Sequence, residues 1–197
     1  MDEYILPENF FEENELEQVS AAQLTYFGFV NIKNKGLHEM IEEYALPNLD
    51  AGRLRSIDLE KEKIAESKDG AQVIGCMRKT MEIANCPVIF EKALSMHTEV
   101  MPLILKRFMT SGHDVFIENA AIVFAYSEMK YVEQLYDVFE KIRNPYARSI
   151  SCVVFGFRKR TDYLPLIYKQ FLLFRKEFAD ESYGQGPLLA LNLLREG

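Results

Sequence analysis

Tryptophan is absent from these 197 residues, which removes the helical repeats whose signature opens on that residue. Cysteine is scarce. Cys76, Cys86 and Cys152 are odd in number and far apart, so they make neither a disulfide framework nor a zinc spacing. Free core thiols in a cytoplasmic protein are the expectation. No apolar run is long enough to span a bilayer; Cys152-Val153-Val154-Phe155 is typical. The start, Met1-Asp2-Glu3, has no basic segment followed by an apolar one, which argues against a secretory signal and, like the thiols, points to the cytoplasm.

Catalytic and metal motifs are missing too. His38, His97 and His113 have no partner at Glu-x-x-His or His-x-x-x-His spacing. The acids after His38, namely Glu39, Glu42 and Glu43, read as a solvated helix face rather than a metal site. Gly184-x-Gly186-Pro187 lacks the lysine and the preceding strand of a phosphate loop. No Gly-x-Ser-x-Gly occurs, and Cys152 sits in an apolar run where an inert thiol is expected. The expectation is a chain that is not an enzyme and holds neither metal nor cofactor.

Basic residues are lacking at the start. The first is Lys33, after seven acids. Residues 1–100 carry 10 Lys and Arg against 19 Asp and Glu, residues 101–197 carry 13 against 11, and the whole chain is at −7. An acidic entry segment repels phosphate backbones, which disfavours nucleic acid and membrane surfaces there.

What the chain has is a repeat. TEVMPLILKRF (Thr98 to Phe108) aligns with TDYLPLIYKQF (Thr161 to Phe171), with Thr, Pro, Leu, Ile, Lys and Phe identical at an offset of 63. A third copy, Met129 to Phe139, lies midway, 31 residues after the first and 32 before the last, counted at the final Phe. Val132, Leu135, Tyr136 and Phe139 follow the i, i+3, i+4, i+7 spacing of an amphipathic helix. Pro102 and Pro165 are expected in or beside a first turn.

Between the copies lie segments expected as helices over 114–127, 145–159 and 186–195, with Asn144-Pro145 as a start signal. Ser151 to Phe155 alone would suit a strand. Its repeat counterpart, Ala120 to Phe124, is a better helix former, so helix is expected at both. Gly156 is costly inside a helix, by about 1 kcal/mol relative to Ala, and requires a close neighbour; Ala125 and Ala190 recur beside it in the pattern.

A helix, a turn and a second helix, repeated, make an array of antiparallel hairpins. Over residues 87–197 the chain resembles HEAT-like or armadillo-type repeat proteins, by its two-helix unit and the early proline. That resemblance implies an all-α, right-handed α-α superhelix of three hairpins acting as a non-catalytic scaffold for a protein or peptide partner.

Residues 1–86 break the period and are expected as an acidic, irregular helical cap on the same structural unit. Helices are expected over Glu15 to Asn31 and Leu37 to Tyr44, with an exposed helix or a crossing over Asp50 to Gly70. An apolar stripe of Val73, Ile74, Met77, Met81 and Ile83 falls in Ala71 to Ala84. At the other end Pro187 to Leu194 is apolar nearly all round, so it should meet a second copy of the chain, a partner or a folded-back N-terminal segment.

Arg158, Lys159 and Arg160, with Lys130 and Lys169, are candidates for a basic edge that accepts an acidic peptide or a phosphate backbone. The competing reading is that cations gather where they offset a helix C-terminus. Tyr126 and Tyr163 are candidate contact residues, tyrosine being favoured in interfaces. An alternative is a nucleic-acid-associated protein related to the HEAT-like DNA glycosylases. The absent Trp and the acidic pI of about 5.1 speak against it.

Overall fold

The computed structural model describes residues 6–80 and 84–196. Every regular element among them is helical. The helices are α1 (Phe10–Glu13), α2 (Ala21–Asn31), α3 (Lys35–Met40), α4 (Ala51–Ala65), α5 (Gly70–Met77), α6 (Cys86–Ser95), α7 (His97–Phe108), α8 (Asp114–Tyr126), α9 (Met129–Asp137), α10 (Pro145–Phe157), α11 (Leu164–Glu177) and α12 (Gln185–Arg195).

Starts and stops follow local chemistry. Ser20, Asn34, Asp50, Asp69 and Asn144 each accept a backbone N–H of the first turn they cap, satisfying a donor that has no partner inside the helix. Ser20 is also why α2 starts at Ala21 and not at Glu15. The helix expected from Leu37 begins at Lys35, where Asn34 caps it; its last turn relaxes into a π turn over Ile41–Ala45. Asp50 to Gly70 resolves into α4. The stripe expected over Ala71 to Ala84 ends as helix at Met77, and Met81 and Ile83 lie outside the described residues.

The three repeat copies are α7, α9 and the start of α11, and the intervening helices are α8, α10 and α12. Two details differ from expectation. Phe139 lies on a 3-10 turn just past α9. Pro102 falls inside α7, because that helix begins at His97, so one helical hydrogen bond is forgone there. Ser151 to Phe155 is helix and fully buried.

Packing follows two rows. α4, α6, α8, α10 and α12 succeed one another in contact, and α5 and α7 lie beside each other on the second row. Repeat-equivalent residues occupy equivalent places. Phe108 meets Phe124 edge to face at 5.6 Å, and Phe139 meets Phe155 at 6.0 Å. Phe171 has no such partner in α12; Phe10 from the N-terminal segment supplies the ring, at 5.1 Å. The close neighbour that Gly156 requires is Ala190: a Cβ on Gly156 would sit 2.6 Å from the Ala190 Cα.

The N-terminal segment covers the apolar helix at the far end. α2 packs on α8, α10 and α12. Gln185 accepts the Glu17 N–H at 3.0 Å, Arg175 donates to Asn14 at 2.7 Å, and the Arg195 guanidinium stands 4.1 Å from the Phe11 ring. Leu188, Leu189, Leu191, Leu193 and Leu194 are buried. Of the three coverings open to Pro187 to Leu194, the chain's own folded-back segment occupies the place in which a second copy was considered. Residues 51–80 go elsewhere: α4 and α5 extend the two rows beyond α6 and α7.

No helix among the described residues is long and apolar enough to cross a membrane.

Candidate functional site

The residues singled out in the sequence lie on or beside α8, α9, α10 and α11, where nearly all are held by the chain itself. Arg158, following α10, donates to the carbonyls of Ala125 and Ser127 at 3.0 and 2.8 Å, closing the end of α8; burial, more than the nearby Arg160, lowers its pKa. Lys159 has a left-handed backbone, φ 55°, the conformation that ends many helices, and its Nζ donates to the Leu193 carbonyl. Arg160 lies between Asp162 at 2.6 Å and Glu133 at 3.3 Å, with the Tyr163 ring 4.3 Å away. That guanidinium holds the Asp162 carboxyl below its ordinary range.

The remaining candidates are similar. Lys130 pairs with Glu128 at 3.0 Å and Lys169 with Glu140 at 2.9 Å. Tyr126 donates to the Phe29 carbonyl, and burial raises its pKa. Tyr163 is buried, stacked on Tyr136 at 3.8 Å. Cys152 is fully buried, which pushes its thiol pKa far up. Among the described residues no three His, Cys, Asp or Glu side chains gather where they could hold a metal ion.

A different surface has open clefts and cations without such partners. It lies over α5. That helix buries Val73, Ile74, Cys76 and Met77 and exposes Ala71 and Gly75, and Arg78 and Lys79 are exposed just past its end. Its start is fixed by the Gly70 N–H donating to Glu99 of α7 at 2.6 Å, where a Cβ would collide with Leu103 at 2.7 Å. Its end is fixed by Asn119 of α8, which donates to the carbonyls of Met77 and Thr80 at 2.9 and 3.0 Å. α5 and α7 therefore run side by side in one direction.

A cleft lies on each side of α5. The one toward α4, of about 650 Å³, is lined by Leu59, Glu60, Lys63, Gly75, Arg78 and Lys79 among others. The one toward α7, of about 870 Å³, is lined by Ala71, Arg78, Leu103, Lys106, Arg107 and His113 among others, with no carboxylate among the described residues of its wall. Arg78 belongs to both, so the clefts meet over α5 as one saddle.

Among the described residues the side chains of Lys63, Arg78, Lys79 and Lys106 make no hydrogen bond or ion pair, and Arg107 only approaches the Phe116 ring at 5.9 Å. Nor are they needed to close the helix ends. Asn119 closes α5, while beyond α7 the Arg143 N–H donates to Met109 O and the Asn144 side chain to Ser111 O, at 3.0 and 3.1 Å.

Sequence reasoning passed over this surface. Lys106-Arg107 stands inside the first repeat copy, where Lys106 aligns with Lys169, so a signal was present. Gly75 and Arg78 carried none, because they lie outside the copies. Compared with protein-family models, curated proteins and solved structures, the chain matches none of them.

Proposed function

We propose that this chain is a non-catalytic binding protein of the HEAT-like or armadillo-type kind, its hairpins forming a right-handed α-α superhelix, and that it takes a protein or peptide partner. The observation that carries this reading is the saddle over α5: two joined clefts on the outside of the array, edged by cations that the fold itself leaves unpaired. Arrays of this kind present long surfaces and bind through them, and unpaired charge around an open cleft is suited to steering and orienting a partner.

The test is a selection of random short peptides, displayed on phage, against the immobilised full-length chain. The expected result is enrichment of sequences that compete with one another for a single site. If no sequence is enriched over the bare support, the reading fails.

A further inference from the structure

We infer that the saddle over α5 takes an acidic segment that also carries large apolar side chains, its backbone crossing α5 at Gly75. This rests on the binding reading above and names the chemistry of the occupant.

Gly75 is the first reason. A glycine inside a helix costs about 1 kcal/mol relative to Ala, and at Gly156 and Gly186 close packing accounts for it. A Cβ on Gly156 would strike Ala190 and one on Gly186 would come within 2.3 Å of the Ser149 carbonyl oxygen, whereas one on Gly75 meets nothing within 4 Å. No contact among the described residues requires glycine here. A backbone laid close over the helix does require it, which is a recognised use of the residue.

Charge is the second. Lys63, Arg78, Lys79, Lys106 and Arg107 surround the crossing point without a carboxylate partner among the described residues, in a chain of net charge −7. Of the acids beside α5, Glu60 accepts from Asn85 and Glu99 from the Gly70 N–H. Aspartates or glutamates of an incoming segment complement the five cations with charge-assisted hydrogen bonds.

The apolar floor is the third. Leu59 and Leu103, 54% and 38% exposed, stand in the two clefts on either side of α5, so an acidic segment gains by placing an apolar side chain in each. The same floor speaks against single-stranded nucleic acid, which such grooves hold by stacking bases on aromatic rings. Neither cleft has Phe, Tyr or Trp among the described residues of its wall.

The experiment uses the peptides enriched by the full-length chain. They should be rich in Asp and Glu together with Leu, Ile, Met or Phe. Fluorescence anisotropy with the best of them should show binding that weakens as salt rises and falls by about tenfold or more in Gly75→Trp and in Arg78→Glu/Lys106→Glu. Oligothymidylate should not compete. Gly75→Trp has open space around it and should keep or raise the thermal midpoint; if that variant does not fold, the charge-reversal pair carries the test. Enriched peptides with no acidic excess, acidic peptides that bind both variants unchanged, or equal competition by oligothymidylate overturn this inference and leave the broader reading standing. Failure to enrich any peptide removes both.

Discussion

The ends of α8 and α10 and the ends of α5 and α7 are built from the same kinds of residue and use them differently. At the first pair, Arg158 and Lys159 reach across one repeat to donate to the carbonyls of Ala125, Ser127 and Leu193, and Arg160 is held between two carboxylates. At the second pair those duties fall to Asn119, Asn144 and the Arg143 backbone, which leaves Arg78, Lys79 and Lys106 with no partner among the described residues. The lesson is that a cluster of cations at helix ends says little until the carbonyls beneath it are accounted for. Where a neutral side chain already closes the helix, the charge is left for something else.

The sharpest way to stress this comparison is through the packing beneath each region. Phe155 is fully buried against Tyr136, Phe139 and Tyr163. Phe155→Ala should cost about 4 kcal/mol in urea unfolding, whereas Leu103→Ala, in the saddle, should cost less than about 1 kcal/mol. Similar losses would mean that Leu103 belongs to the core.

The two glycines come next. Gly156→Ala drives a methyl into Ala190 and should cost about 2 kcal/mol, while Gly75→Ala should stabilise by about 1 kcal/mol. A loss at Gly75 would show that the fold does need glycine there.

The smallest effect is electrostatic. Arg160 depresses the Asp162 pKa in the folded chain, so the pair's stabilisation is present above the unfolded carboxyl value of about 4 and is lost as pH falls through the lower folded value. The Asp162 carboxylate is exposed to solvent screening, so the contribution should stay below about 1 kcal/mol. Asp162→Asn should flatten the acid limb of a stability-against-pH curve by that amount, and Arg78→Met should leave it unchanged.

The helices of the repeat were legible because the cause is local: spacing of apolar residues, a cap, a proline. The equivalent packing of Phe108 and Phe139 followed from the alignment alone. The partner of Phe171 did not, because its ring comes from Phe10, 161 positions earlier, in a segment with no repeat to locate it. The cover over Pro187 to Leu194 was illegible for the same reason; the sequence showed that the face needed burial without showing by what. The basic edge stands out in the sequence because Arg158-Lys159-Arg160 is contiguous, whereas Lys63, Arg78 and Lys106 come together only when α4, α5 and α7 are laid side by side. Gly156 and Gly75 look alike in sequence, and only their surroundings separate them.

The difference between the two regions is tested most directly by unfolding Arg158→Glu and Arg78→Glu side by side in urea. Arg158→Glu removes two carbonyl contacts and sets a carboxylate beside them, so it should lose about 3 kcal/mol or more. Arg78→Glu, with nothing to lose, should stay within about 0.5 kcal/mol of the parent chain. Equal losses, or a larger one at Arg78, would contradict the claim that the cations over α5 are free for a partner.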